Sequence, residues 1–234
     1  ALTWFENVIN KAKETLNTQF EQYRISEALM TVYTTFRDEF SSWLLEIIKP
    51  AYGQPIDRKT YEKTLDLFAE LLQLLHPFMP FITEEIWQNL KERKTGESIM
   101  VSVINNDTPY DENLLKEFEF VKEIIVGIRN IRKQNNIAFK DRLELKVKKN
   151  DRYPAAFASI VEKMGNISAT ETVTEAVKGA WSFIVDTVEY FIPGTGNVDT
   201  AEVKAKLEEE LKALRESEMW QTAVTVRKLR PENN

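Results

Sequence analysis

The stretch Leu71-Leu72-Gln73-Leu74-Leu75-His76-Pro77-Phe78-Met79-Pro80-Phe81-Ile82-Thr83-Glu84-Glu85-Ile86-Trp87 closes one helix and opens another in immediate succession. Upstream of it, Tyr61, Leu65, Phe68, Leu72 and Leu75 recur every three or four residues, the period of a buried helical stripe. Asp57 stands where a short carboxylate satisfies the free amides of that helix's first turn. Pro77 stops the helix. Pro80 suits the opening turn of the next one, where its missing N–H costs nothing, and this helix is predicted to run through Leu90.

Two more helices precede this pair. Residues 2–20 carry Trp4, Phe5, Val8, Ile9, Leu16 and Phe20 on one face. A second helix is predicted from about Ser26 to Ile48, with Ile25, Leu29, Val32, Phe36, Phe40, Trp43 and Ile47 as its apolar stripe, ended by Pro50, Gly53 and Pro55. Long helices with such wide apolar faces pack as an antiparallel bundle.

After Gly96 the texture changes. Ile99-Met100-Val101-Ser102-Val103 reads as extended, and Asn105 to Pro109 as loop. A long helix follows from about Asp111 to Asn135, burying Leu115, Phe118, Val121, Ile125 and Ile128. Arg142 to Lys148 alternates apolar and charged residues, as a half-exposed strand does, and a short helix is predicted at 153–164. Two or three further strands follow. Trp181, Phe183 and Val185 alternate, as do Val188, Tyr190 and Ile192, with Asp186-Thr187 as a tight turn between them. Pro193 to Asn197 is linker chemistry, and Val203, Leu207, Leu211 and Leu214 start a coiled coil whose pattern breaks off before Pro231. The predicted fold is therefore mostly α. A helical bundle covers 1–105, a basic helix with a small α+β subdomain covers 106–196, and a C-terminal helix covers 197–234.

Composition narrows the chemistry. The 234 residues contain no cysteine and one histidine, which removes disulfides, Cys-ligated zinc and thiol nucleophiles and leaves no His-rich metal site. The seven glycines form no phosphate loop, and Gly194-Thr195-Gly196 is too short and isolated to be one. Neither a signal peptide nor an apolar run of membrane-spanning length is visible, and the net charge of −6 fits a cytoplasmic protein with no membrane partner. His76 reads as a helix terminator facing the last carbonyls, and Glu84-Glu85 as carboxylates complementing a helix dipole, since adjacent helical residues diverge by roughly 100°. No catalytic or metal-binding residue emerges.

One feature exceeds this background. Between Arg129 and Lys149 there are eight basic residues against Asp141 and Glu144, a local charge of about +6 in a chain of −6. Arg129, Arg132 and Lys133 are assigned to one helix face, opposite Ile125 and Ile128, where they either meet a phosphate backbone or form an ordinary solvated surface.

The string from Leu74 to Trp87 resembles the anticodon-binding helical domain of class I aminoacyl-tRNA synthetases for aliphatic amino acids, most closely the bacterial-type valyl members. Asp38-Glu39-Phe40-Ser41-Ser42-Trp43, Ile48-Lys49-Pro50, Ser98-Ile99-Met100, Ile128-Arg129-Asn130-Ile131-Arg132 and Phe191-Ile192-Pro193 are similar to further family segments in the same order. Ser41-Ser42 and Leu44 depart from the usual Cys-Asp and Tyr, and nothing resembles the family's ATP-holding signatures.

The resemblance implies a C-terminal portion with a truncated coiled-coil arm, and no aminoacylation or editing of its own. ATP and magnesium would belong to the parent enzyme, whose catalytic and editing domains would be partners in the same chain. The implied ligand is tRNA, specifically that for valine. The nucleic-acid-binding candidates are Phe36, Arg37, Trp43, Arg129, Arg132 and Lys133, with Arg37 as a polar contact and Phe36 and Trp43 as either stacking rings or core. The alternatives are the same domain of an isoleucyl or leucyl enzyme, and a helical scaffold that binds proteins and no RNA.

Overall fold

A computed structural model describes residues 1–105, 108–150 and 152–194, together with Lys212. The expected linker beyond Gly194 and the coiled-coil arm lie outside the described residues, apart from Lys212. Four helical stretches make the first layer. Helix α1 (Leu2–Glu21) packs against α2 (Ile25–Thr34) and α4 (Arg58–Leu75), and α4 packs against α5 (Pro80–Leu90). Asp57 caps α4 by accepting from the Thr60 amide at 2.9 Å, and Pro80 opens α5, as the sequence indicates.

The second stretch is helical throughout but changes pitch. Between α2 and the short α3 (Leu45–Ile48), residues Thr35–Leu44 form a π-helix. The hydroxyls of Ser41 and Ser42 donate to the carbonyls of Phe36 and Arg37, five residues back, at 3.0 and 2.9 Å. A π segment takes more residues per turn than an α-helix, so it shifts the phase of every side chain beyond it. This shift explains why Leu44, and not Trp43, fills the core beyond it, whereas α2, which precedes the shift, buries its Ala28–Val32 side. Val32, Phe40 and Ile47 are in the core, joined by Ala28, Thr35 and Leu44; Phe36 and Trp43 are half-buried, and Ile25 and Leu29 are exposed.

Helix α4 is buried on two sides. Leu67, Leu71 and Leu74 face the main core, whereas Leu72 joins Trp87 and Ile99 in a satellite cluster against α5. Tyr61, expected on the buried stripe, is exposed. The Ile99–Val101 segment, expected to be extended, is a 3-10 turn instead. The Glu84 carboxylate holds its start, accepting from Ser98 Oγ at 2.7 Å and from the Ile99 amide at 3.0 Å. The bond from Gln88, and after it those from Ser98 and the Ile99 amide, keep the Glu84 carboxyl below the usual carboxylate range. His76 likewise does more than end a helix: its Nδ1 lies 2.7 Å from Oγ1 of the buried Thr83, tying the end of α4 to α5.

Helix α6 (Glu112–Gln134) joins the two halves. Asp111 caps it through the amides of Asn113 and Leu114, and all five expected apolar residues are buried. At one end Phe118 stacks on Trp4 of α1 with ring centroids 3.9 Å apart. At the other, α6 lies on a four-stranded sheet of order β2-β1-β4-β3. Strand β1 (Leu143–Lys148) pairs in parallel with β2 (Ile167–Val173) across the helix α7 (Ala158–Gly165), and antiparallel with β4 (Val188–Pro193), which forms a hairpin with β3 (Ala180–Val185). Asp186 turns that hairpin at φ 54°. A single hydrophobic cluster runs from Trp4 in α1 to Ile192 in β4. No helix among the described residues is long and apolar enough to cross a membrane.

Candidate nucleic-acid interface

The π-helix carries three of the candidate residues and sends them in different directions. Phe36 turns inward, its ring 5.9 Å from Phe40 and 6.1 Å from Phe68 by centroid. Arg37 turns outward. Its Nε donates to Asp38 at 2.7 Å, its Nη1 donates to the Tyr33 hydroxyl at 3.3 Å, and its guanidinium lies 5.2 Å from the Tyr33 ring centroid. The bonds to Asp38 and then Tyr33 raise its pKa above the ordinary arginine value. Trp43 points toward α6 and is half-buried there, with Arg129 at 5.5 Å and Lys122 at 5.8 Å from its ring.

On α6 the three basic candidates separate. Arg129 and Lys133 are exposed, and neither forms an ion pair among the described residues. Arg132 is a correction to the expectation of a common exposed face. It is 4 % exposed, and its guanidinium donates to the carbonyls of Gly165, Asn166, Ala138 and Asp141 at 2.9–3.2 Å. Its spacing of seven and four from Ile125 and Ile128 places it on the apolar stripe itself. Burial lowers its pKa, and the nearby Asp141 carboxylate opposes that shift. Arg132 therefore pins α6 to the end of α7 and to the turn before β1, and presents no donors to a ligand.

Two hollows flank the Trp43–Arg129 pair. A cleft of ≈ 660 Å³ opens between α6 and β3, lined by Trp43 together with Asn130 and Gln134 of α6 and Ser182 and Phe183 of β3. A smaller hollow of ≈ 230 Å³ lies on the other side of Arg129, lined also by Lys49, Lys163 and the exposed ring of Phe139. Lys163 Nζ donates to the carbonyls of Ile47 and Lys49 at 2.6 and 2.5 Å, fixing the end of α3 beside Arg129. Sequence reasoning missed Lys49, Lys163, Asn130, Gln134 and Ser182, because only the docking of α6 on α3, α7 and β3 brings them together. No group of three or more His, Asp or Glu able to hold a metal occurs among the described residues.

Residues 3–148 match the family of anticodon-binding domains of tRNA ligases. The chain is 53 % identical over 212 residues to a valine–tRNA ligase of Phocaeicola vulgatus and 49 % identical over 214 residues to one of Bacteroides thetaiotaomicron, in each case covering 91 % of this chain and 24 % of the relative. A more distant valine–tRNA ligase, of Bacillus cereus, is 31 % identical over 219 residues, covering 88 % of this chain and 24 % of the relative. The chain thus spans about a quarter of the length of the curated relatives it matches.

Proposed function

The chain belongs to the anticodon-binding domain family of tRNA ligases, and from that premise we propose that it is the tRNA-recognition part of a valine–tRNA ligase. In this reading the parent enzyme attaches valine to its tRNA with ATP and magnesium in the cytoplasm. The present chain contributes RNA binding and no catalytic group, and works alongside the catalytic and editing domains of the same parent. Residues 1–105 act as the anticodon-binding bundle, 106–196 as a basic junction, and 197–234 as an arm along the tRNA.

The observation that carries the reading is the pair of exposed cations Arg129 and Lys133, neither in an ion pair among the described residues, with Arg129 lying 5.5 Å from the half-buried Trp43 ring. Cations not paired with a carboxylate are available to phosphates, and each phosphate neutralised releases counterions. The indole next to Arg129 supplies a face on which an unpaired base stacks. Arg37 adds a polar contact elsewhere on the bundle, and Phe36 acts mainly by packing the π-helix against α4.

Binding of valine tRNA and of an unrelated tRNA by the full chain, each at low and high salt, tests the proposal. Saturable binding that weakens steeply with salt and favours valine tRNA is the expected outcome. Binding indifferent to salt, or none at low salt, would contradict it.

A further inference from the structure

We infer that the cleft between α6 and β3 is a binding pocket for one unstacked nucleotide of single-stranded RNA, with its base on Trp43 and its phosphate on Arg129. This rests on the tRNA-binding reading and names the place where that reading becomes specific to bases. Three independent features converge on it.

The first is shape and lining. A hollow of ≈ 660 Å³ lies within the range of small-ligand pockets and holds a nucleotide. Trp43 and Phe183 both line it, and the Phe183 ring sits close over Gly127.

The second is unspent hydrogen-bonding capacity. Asn130 and Gln134, one helical turn apart on α6, are exposed and line the cleft together with Ser182. None of the three side chains has a hydrogen-bond partner among the described residues, unlike the neighbouring Asn135, which donates to Ile131. Two carboxamides and a hydroxyl, each both donor and acceptor, match the mixed pattern on the edge of a nucleobase better than they match a carboxylate or an apolar ligand.

The third is charge asymmetry. Within the cleft Lys122 is held by Glu39 and Glu119, at 2.6 and 2.7 Å, and Asp186 is paired with Arg152. Glu123 remains as an exposed acceptor suited to an exocyclic amino group. On the far side of Arg129 the smaller hollow carries Lys163, and Lys49 is there engaged with Glu46. A phosphate is therefore repelled from the cleft and drawn to Arg129, while a base enters the cleft. The π-helix sets this polarity, because its shift in phase turns Trp43 toward α6 and leaves Leu44 to fill the core.

The test compares two RNA hairpins with one stem, one bearing an intact seven-nucleotide loop and the other the same loop with all bases removed, in binding to the full chain and its variants. The unaltered chain is expected to prefer the intact loop. Trp43→Leu should weaken intact-loop binding about tenfold and leave abasic-loop binding unchanged, since stacking acts only through the base. Trp43→Phe, which keeps a ring, should restore most of the loss and guards against a folding artefact. Asn130→Ala with Gln134→Ala should change the preferred loop base without changing the salt dependence.

If Trp43→Leu weakens both hairpins equally, or neither, the pocket is wrong while the tRNA-binding reading stands. If the unaltered chain binds neither hairpin nor tRNA, both fall. Displacement of the loop by free nucleoside monophosphate at micromolar concentration would also overturn the pocket as an RNA site.

Discussion

Arg132 donates twice to the carbonyl of Gly165, from Nε at 3.2 Å and from Nη2 at 2.9 Å, and so joins the middle of the chain to the end of α7. The same guanidinium reaches Asn166, Ala138 and Asp141, so one buried cation satisfies four carbonyls that have left regular structure. A charge buried in this way is tolerated because its donors are spent on oriented dipoles. Removing it takes a donor from each: the Ala138 and Asn166 carbonyls keep the amides of Asp141 and Leu143, whereas those of Gly165 and Asp141 lose their side-chain partner. Arg132→Ala is expected to destabilise the chain by about 3 kcal/mol or more, and Arg132→Lys to recover little, because an ammonium cannot reproduce the planar fork. Urea denaturation checks this. A loss below about 0.5 kcal/mol, the range of ordinary surface changes, would show that the network is dispensable.

Gly127 meets Phe183 so closely that an added Cβ would lie 2.3 Å from the ring. In an unconstrained helix, glycine to alanine stabilises by about 1 kcal/mol. Here the sign should reverse: Gly127→Ala is expected to cost about 1–3 kcal/mol as overpacking pushes the β3 hairpin off α6. Phe183→Leu in the same chain should relieve part of that loss. Thermal unfolding of the single and double variants reads both effects.

Glu84 supplies a pH dependence. Its carboxyl is held below its ordinary value of 4.5 by hydrogen bonds from Gln88 and Ser98 and the amide of Ile99. A group with a depressed folded pKa stabilises above its unfolded pKa and loses that contribution as pH falls through the folded value. The thermal midpoint should therefore drop as pH goes below that ordinary value of 4.5, and Glu84→Gln should flatten the part of the drop that this residue causes. An identical acid profile in the variant would refute the assignment.

Tyr190 is fully buried, stacked on Phe183 at 5.1 Å, and its hydroxyl has no hydrogen-bond partner among the described residues. Burial pushes its phenol pKa up. An unpaired buried hydroxyl costs roughly 1–3 kcal/mol, so Tyr190→Phe is expected to leave stability unchanged or to raise it by about 1 kcal/mol. A clear loss in denaturation would mean that the hydroxyl is paired.

Local signals in the sequence were enough to place Asp57 as a cap, a helix start near Asp111, Pro80 at the start of α5, and the alternation of Leu143, Leu145 and Val147 in β1. What it hid depends on a change of period or on distant partners. A 3.6-residue repeat read through Thr35–Leu44 loses phase, so it points to Trp43 for the core where Leu44 is found. Arg132 shows the opposite failure: its spacing from Val121, Ile125 and Ile128 places it on the buried stripe, whereas its charge alone suggests a solvent-facing position. The hollows on either side of Arg129 combine elements more than a hundred residues apart, as in the bond from Lys163 to Ile47, and no local pattern encodes them.

The central claim is that Arg129 and Lys133, which pair with no carboxylate among the described residues, meet an RNA backbone through charge. Its most direct measurement is the slope of log affinity against log salt for valine tRNA, for the full chain and for Arg129→Ala/Lys133→Ala. Both residues are exposed, so the variant should fold with less than about 0.5 kcal/mol lost per site. The slope should become shallower by about one unit per phosphate contact removed, with valine and unrelated tRNAs weakened alike. An unchanged slope and undiminished affinity at low salt would contradict the account.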